Sequence, residues 1–454
     1  MRLLSLFVFL AFVIRTQAGT LPENFFMTKL TNGLDVLVIE DNSVPLATIE
    51  MCVRNGSFTE DPEYNGLSHL YEHMFFKANK DLPSQETFMD RVNELGIRFN
   101  GTTSNERVNY FFTLGSSKTE EGLRFMNSAI RYPLFLEEEI KKENPVVDAE
   151  FQRNESNPFF FLQDDMARHL WGDLYSRKNT IGDHEIILTA TPEKMRVIQN
   201  KYYYPNNSIL VVAGDVKHEA VFEKAKAIFG DWKASDFDPF QKYPIPEFKP
   251  LTETKYFITK NDNARVPVFM LGLHGPDTRH DLPATYAADV FSYILQQESS
   301  RLQQELVDAG LALQVNVSYQ TCKYTGPINI ILVPNPAKVK EAFEALEKNI
   351  SRWDSDDYFT DEQLETAKTL LAIDDAYGKE STSSFVHTVT YWWASASIDY
   401  YTNYVANLQN VTRDDIKRYV RTYITNKPMA IGLLVPPNMA EGMGISDLKT
   451  FLNR

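Results

Sequence analysis

His69, Glu72 and His73 place two imidazoles and one carboxylate within five residues of the chain. In a helix, residues i and i+4 lie one turn apart on one face, so the two imidazoles would point the same way. Two neutral imidazoles at this spacing can bind Zn²⁺, which in catalytic sites takes three protein ligands and a water molecule. Glu72 would lie beside that face and could accept a proton from the water. The pattern predicts a hydrolytic zinc site with Glu72 as general base.

The flanking residues predict that this segment is a helix buried along one side. Asn65-Gly66 is a turn pair at a plausible helix start. Four apolar residues then recur at helical spacing, namely Leu67, Leu70, Met74 and Phe75. The alternative is a pair of solvent-facing or hydrogen-bonded histidines beside an ordinary helical glutamate. The apolar stripe favours the zinc site, which still requires a third ligand from elsewhere in the chain.

The H-x-x-E-H order resembles that of the pitrilysin/insulinase (inverzincin) zinc metallopeptidases, which include the catalytic type of subunit of the mitochondrial processing peptidase and bacterial two-subunit relatives. In that family a glutamate follows the second histidine after 76 residues, and Glu150 occupies this position here. A second family glutamate lies seven residues before it, at Glu143. The resemblance implies that Glu150 is the third zinc ligand. It also implies that Glu143 does not bind the metal but contacts the ligands and orients them.

Two observations weigh against this assignment. Most glutamates are solvated, and the segment is acidic, so Glu150 could be an ordinary surface residue. Pro145 lies between the two glutamates and predicts a kink or a restart of the helix there.

The segment Asn100, Gly101, Thr102 and Thr103 resembles the family strand that lies beside the metal and pairs with the substrate backbone. Backbone pairing supplies affinity without demanding one sequence, so the resemblance implies that these four residues bind substrate. The alternative is that Asn100-Gly101 forms an ordinary turn between two strands.

Active family members carry an arginine and a tyrosine in the C-terminal half that stabilise the oxyanion. Here the tyrosine position holds Leu313 and the arginine position holds Leu306 or Val307, with Tyr319 and Tyr324 as nearby alternatives. Loss of such donors costs about 100- to 1000-fold in rate. The resemblance therefore predicts a zinc endopeptidase of peptides or unfolded polypeptides that works as the zinc-bearing subunit of a heterodimer, with the pair supplied by a second family subunit. The alternative is a non-catalytic peptide-binding or assembly subunit, which the intact ligand set disfavours.

The order of elements predicts an internal duplication. A predicted strand at 109–114 with a helix at 119–130 matches a strand at 328–333 with a helix at 336–350. Thr191 and Thr412 each open a helix that leads into a strand, and 221 residues separate them. The same offset from the H-x-x-E-H motif leads to residues 290–294, which carry no metal ligands. We expect an α+β fold of two homologous α/β-sandwich domains.

The N-terminal residues predict where the protein is located and where its first domain begins. Residues 1–18 have the short apolar run of a secretory signal peptide, with an uncleaved anchor as the alternative. We expect a zinc-binding domain at 19–235, a linker at 236–250 and a C-terminal domain at 251–454, in an exported protein, periplasmic or secreted, without stable membrane insertion after cleavage.

The net charge of −15 makes nucleic acid an unexpected partner. Cys52 and Cys322, both in strand-like runs, are expected to be buried, and a bridge between them stays open.

Overall fold

The computed structural model describes residues 21–172, 174, 177 and 179–454. The predicted signal peptide at 1–18 lies outside these residues. Within the described part of the chain, no helix combines the length and apolar character needed to cross a membrane.

The first sheet is built from residues 25–214 and contains six strands. Its strands are β1 (Phe25–Lys29), β2 (Asp35–Glu40), β3 (Leu46–Val53), β4 (Arg98–Thr103), β5 (Val108–Gly115) and β6 (Ser208–Gly214). Their order in the sheet is β1-β2-β6-β3-β5-β4, with β2 and β6 parallel and the other neighbours antiparallel. This order places β4 at the edge of the sheet.

The second sheet contains five strands from the remainder of the chain. They are β7 (Lys255–Lys260), β8 (Val268–His274), β9 (Ala312–Tyr319), β10 (Pro327–Pro334) and β11 (Ala430–Val435). The order β7-β11-β8-β10-β9, with only β7 and β11 parallel, repeats the order β2-β6-β3-β5-β4 of the first sheet. The predicted α+β duplication is confirmed by this identical topology.

The described residues form nineteen α-helices, several of them single turns. They are α1 (Leu67–Phe75), α2 (Gln85–Leu95), α3 (Thr119–Arg131), α4 (Glu137–Glu155), α5 (Pro158–Trp171), α6 (His184–Leu188), α7 (Pro192–Tyr202), α8 (His218–Phe229), α9 (Pro239–Lys242), α10 (Leu282–Gln296), α11 (Arg301–Gln303), α12 (Val339–Ile350), α13 (Asp361–Gly378), α14 (Thr382–Ser395), α15 (Ile398–Thr402), α16 (Tyr404–Gln409), α17 (Arg413–Tyr423), α18 (Pro437–Gly442) and α19 (Leu448–Phe451).

The predicted helix starts at Thr191 and Thr412 are confirmed, since each hydroxyl accepts a hydrogen bond from the backbone three residues later. The second-half helix that was predicted to begin at residue 336 begins instead at Val339. Residues 290–294, which correspond to the zinc motif, lie within α10 among buried core residues.

One face of each sheet packs against the helices of its own half. On the first sheet, Met51, Tyr110 and Phe112 contact the apolar side of α1 and α3 in one continuous core. On the second, Leu271, Ile330 and Leu433 pack against α10, α12 and α17 in an equivalent core. Each sheet thus buries one face against helices of its own half. This follows because alternate side chains of each strand point to that face, and the apolar ones must be covered.

The opposite face of each sheet is covered by a helix from the other half. Leu162, Met166 and Leu170 of α5 pack on the second sheet. In return, Val386, Val389 and Trp393 of α14 pack on the first sheet. The two halves therefore exchange one helix each, which joins them through apolar cores. The proposed linker at 236–250 includes the short helix α9 and connects halves that are already interlocked.

The cysteines are both buried and unbridged. Cys52 lies in β3, where it packs beneath α14. Cys322 lies in the connection between β9 and β10, so the prediction that it belongs to a strand is wrong. Burial raises the pKa of Cys52 to about 12, which leaves its thiol protonated and unreactive.

Candidate metal centre

Helix α1 is fixed at its N-terminus by a buried carboxylate. Glu60 accepts hydrogen bonds from the backbone N–H groups of Gly66 and Ser68, each at 2.8 Å. Gly66 has φ of +91°, and a Cβ there would lie 2.4 Å from the carbonyl oxygen of Ile181. The turn before the helix therefore requires glycine. The predicted apolar stripe of α1 is confirmed, because Leu67, Leu70, Met74 and Phe75 are all buried.

The structure brings His69, His73 and Glu150 together. The imidazoles lie one turn apart on α1, with ring centroids 4.8 Å from each other. Glu150 comes from α4, where its Oε2 lies 3.7 Å from Nε2 of His69 and 3.8 Å from Nε2 of His73. Of the two alternatives for Pro145, the restart of α4 is wrong, and the kink stays a prediction. The helix is continuous, since Pro145 lies on its exposed face and the carbonyl it leaves unpaired can be hydrated.

The spacing of these three donor atoms fits one zinc ion. The separations of 3.7 and 3.8 Å are too long for hydrogen bonds. Two ligands about 2.1 Å from one ion at the tetrahedral angle lie about 3.4 Å apart. All three donor atoms fall within 4.8 Å of one another. Two imidazoles and a carboxylate are also a ligand set found in catalytic zinc sites.

His73 is oriented by a carboxylate and a lysine behind it. Its Nδ1 lies 2.8 Å from Oε1 of Glu143, which leaves Nε2 directed toward Glu150. The other oxygen of Glu143 accepts a hydrogen bond from Lys77. Burial opposes ionisation of Glu143, but the hydrogen bonds from His73 and Lys77 outweigh it and lower its pKa. Burial likewise opposes protonation of His73, whereas the bond to Glu143 and the nearby carboxylates together raise its pKa.

His69 is held in the neutral form that binds metal. Burial lowers its pKa to about 3, and the adjacent His73 acts in the same direction. Its Nδ1 is buried without a hydrogen-bond partner among the described residues. The imidazole therefore offers a lone pair at neutral pH without first losing a proton.

Glu72 lies between α1 and strand β4. The hydroxyl of Thr103 donates to its Oε2 at 2.6 Å. On the same side, a Cβ added to Gly101 would lie 2.7 Å from its Oε1, so the strand approaches this carboxylate because residue 101 has no side chain. Burial raises the pKa of Glu72 against the opposing bond from Thr103. A raised pKa brings a carboxylate toward the range in which it can accept and return a proton.

The segment predicted to bind substrate forms β4, so the alternative of a turn at Asn100-Gly101 is wrong. Gly101 and Thr103 face Glu72, whereas Thr102 donates a hydrogen bond to Asn109 on the opposite face of the sheet. The side chain of Asn100 accepts from the N–H of Gly101 at 3.0 Å. One backbone edge of β4 pairs with β5, and the sheet order ends at β4.

The second half offers no tyrosine at the position of Leu313. This leucine is 57% exposed on β9, the edge strand of the second sheet. The hydroxyl of Tyr319 donates to the carbonyl of Pro276 at 2.9 Å, and Tyr324 stacks under Arg279. Leu306 is fully buried in a π-helical turn. The oxyanion pair of active relatives therefore has no equivalent at these positions.

Sequence reasoning missed Lys77 and Glu60. Lys77 follows His73 by four residues, a spacing that could have indicated a shared face, but it lies beyond the end of α1. Glu60 had no sequence signal, because it belongs to an irregular segment and meets the helix only through the fold.

One other group of potential ligands occurs in the described residues, formed by Glu40, His218 and Glu219. The carboxylate of Glu40 already has hydrogen-bond partners within the protein. Glu40 accepts hydrogen bonds from Lys217, and from the backbone and ring of His218, and these bonds lower its pKa to about 2. Glu40 thereby satisfies the backbone N–H of the first residue of α8.

We expect Glu143→Gln to weaken zinc binding about 10- to 100-fold, the usual effect of losing a group that orients a ligand. The amide can still accept a hydrogen bond from His73. It lacks the negative charge that pairs with Lys77 and that makes the His73 imidazole a stronger electron-pair donor to zinc. Competition with a chelator of known affinity would measure the change. Glu137→Gln, an exposed change on the same helix, is the control. Equal zinc affinities in the two variants would contradict this role.

Two family models match the chain. A model described as insulinase (peptidase family M16) matches residues 35–181, and one described as peptidase M16 inactive domain matches residues 189–371. The first range contains His69, Glu72, His73 and Glu150. Strands β7 to β10 lie within the second, where the structure shows no metal ligands at 290–294.

Curated relatives are described as zinc proteases. An uncharacterized zinc protease of Rickettsia felis is 29% identical over 220 residues, which are 48% of this chain and 53% of the relative. Another, from Streptomyces coelicolor, is 23% identical over 412 residues, which are 88% of this chain and 87% of the relative. The chain spans about half the length of the Rickettsia proteins it matches.

Solved structures share the fold over nearly the whole chain. A protease from Helicobacter pylori has a TM-score of 0.79 at 23% identity and covers 91% of this chain and 99% of its own. The periplasmic protease PqqL from Escherichia coli has a TM-score of 0.76 at 16% identity, covering 96% of this chain and 51% of its own. Since models of one family match both halves and the fold agrees throughout, this chain belongs to the insulinase (M16) family of peptidases.

Proposed function

We propose that this protein is a zinc-dependent endopeptidase of peptides or unfolded polypeptides, exported from the cytoplasm, and the zinc-bearing subunit of a heterodimer. The observation that carries the proposal is the convergence of His69, His73 and Glu150 around a space of zinc-ligand dimensions, with Glu72 beside it. A ligand set with a neighbouring buried carboxylate is the arrangement that metal-assisted hydrolysis needs.

His69, His73 and Glu150 would hold one zinc ion, which when bound supplies polarisation of the scissile carbonyl and a water of lowered pKa. Glu72 would accept a proton from the attacking water and would return it to the leaving amine. Thr103 donates to one oxygen of Glu72 and so leaves the other for proton transfer. Glu143 and Lys77 keep the ring of His73 in place.

Strand β4 supplies the surface for the substrate. Its position at the edge of the first sheet offers backbone groups to an extended peptide, and its residues Gly101 and Thr103 border Glu72. A peptide added at this edge would run past the general base. Recognition through backbone bonds suits an enzyme that accepts several sequences.

The partner is proposed because of Leu313. An exposed leucine cannot donate a hydrogen bond to an oxyanion, and Tyr319 and Leu306 are committed to contacts within the second half. A second family subunit that carries the arginine and tyrosine would supply this stabilisation. We expect such a partner to raise turnover about 100- to 1000-fold over the isolated chain. The comparison is steady-state cleavage of a denatured polypeptide by the isolated chain and by the complex purified from its source, with native mass spectrometry to identify the complex. Full turnover by the isolated chain would refute the heterodimer.

Metal removal tests the enzyme itself. We expect dialysis against a chelator to abolish cleavage and one equivalent of zinc per chain to restore it, because the three ligands form a single site. Metal content and rate should rise together during the titration. Mg²⁺ at the same concentration is the control, since imidazole ligands do not suit that ion. Cleavage that persists in the metal-free protein would exclude a zinc peptidase. Absence of cleavage even in the zinc-loaded complex would leave a non-catalytic peptide-binding subunit as the function.

A further inference from the structure

Strand β4 is held from both of its faces. On the face toward α1, Gly101 and Thr103 contact Glu72. On the opposite face, Thr102 donates a hydrogen bond to Oδ1 of Asn109, its cross-strand partner on β5. Since successive side chains of a strand point to opposite faces, the residue that touches the general base and the residue that touches Asn109 are direct neighbours in the chain.

The bond to Asn109 continues into a buried carboxylate. Nδ2 of Asn109 donates to Oε1 of Glu50 on β3 at 2.9 Å, and both side chains are fully buried. A carboxyl group at this depth requires hydrogen-bond partners, because a buried polar group that loses one destabilises the fold. The geometry of Asn109 is therefore determined by where Glu50 lies.

Glu50 is bound by the helix that the C-terminal half contributes. Thr390 of α14 donates to its Oε1 at 2.5 Å, and His387, one turn earlier, contacts its Oε2. Arg107 donates to the hydroxyl of Thr390 at 3.2 Å and lies 3.8 Å from Glu50. Among the described residues, the two side chains that hydrogen-bond Glu50 from outside the first sheet thus belong to α14, and Arg107, in the connection between β4 and β5, forms an ion pair with it.

We propose that α14 positions strand β4, and through it Glu72, by the hydrogen-bonded chain Thr390, Glu50, Asn109 and Thr102. In this arrangement the C-terminal half acts on the metal centre through the sheet, without contacting the reacting atoms. This inference rests on the function proposed above, and it makes Thr390 and Glu50 positioning residues. A shift of the general base of about 1 Å can cost 100-fold in rate, so a modest displacement of β4 is enough to matter.

The first sheet supplies a matched control. Thr48 lies on β3 two residues before Glu50, is buried on the same face, and its hydroxyl bonds that of Thr113 at 2.9 Å. This pair has no side-chain bond to β4. Thr48→Val and Thr390→Val therefore remove the same group from the same side of the sheet, but only Thr390→Val interrupts the proposed chain.

The experiment compares these two variants in the full-length protein, assembled with its partner for kinetics. We expect Thr390→Val to lower kcat about tenfold, with zinc content unchanged, and to increase hydrogen exchange at the amides of residues 98–103. Thr390→Ser, which keeps the hydroxyl, should restore both. Thr48→Val should change neither kcat nor hydrogen exchange in β4, even if it lowers the melting temperature as much as Thr390→Val does. Thr102→Val should lower kcat as well, and combining it with Thr390→Val should add little.

The outcomes separate the two proposals. If the wild-type protein has no zinc-dependent cleavage, the proposed function fails, and exchange in β4 still decides whether α14 holds the strand. If cleavage is present but Thr390→Val leaves either kcat or β4 exchange as in wild type, the positioning chain is refuted while the peptidase stands. Additive effects of Thr102→Val and Thr390→Val would refute it too.

Discussion

Glu72→Gln should lower kcat/KM for peptide cleavage about 1000-fold, within the range that general acid–base groups contribute. Glutamine has the shape of glutamate and can still accept the hydrogen bond from Thr103, so the packing between α1 and β4 is retained. It cannot accept a proton from water. Zinc content should remain one per chain, because Glu72 is not among the three converging ligands.

The control for this variant is Glu86→Gln, which changes an exposed glutamate on α2. Rates should be measured with the partner present and with zinc determined on the same samples. Cleavage by Glu72→Gln at the wild-type rate would remove Glu72 as the base. Loss of zinc together with activity would instead mean that the substitution disturbs the metal centre, and the variant would then need to be replaced by Glu72→Asp.

Glu150→Gln should remove most of the zinc and, with it, the activity. The amide is a poor ligand for zinc, so two imidazoles on one helix would be left to hold the ion. We expect affinity to fall at least about 100-fold and cleavage to fall to background, because the ion also serves the chemistry. Isothermal titration with zinc, followed by kinetics at one equivalent of metal, measures both effects.

Glu138→Gln is the matched control on the same helix, since Glu138 lies on the exposed side of the first turn of α4. It should bind zinc as the wild type does. The fold should survive in both variants, because the side chain of Glu150 is only half-buried. If Glu150→Gln retained full zinc affinity, the third ligand would have to lie elsewhere, and the role of α4 in the site would be wrong.

Local sequence was sufficient where the chemistry depends on local structure. The spacing of His69 and His73 fixes them on one face of any helix, and the apolar stripe of α1 fixes which side is buried. The duplication could also be predicted, because similar patterns of turns and hydrophobic periodicity produce similar helices and strands. The order of strands in the second sheet repeats that in the first. Glu150 was identified by resemblance at a long separation, not by any local pattern.

Helix and strand periodicity in the sequence was enough to predict the paired histidines, with a candidate general base between them, and the repeated fold. The folded structure was needed to show that α5 and α14 are exchanged between the halves and that Gly101 lies against Glu72. It also shows that Glu143 is shared by His73 and Lys77, and that Glu50 joins β3 to α14. These contacts join residues far apart in the chain, and the energy of such a contact depends on burial and distance, which no local pattern records.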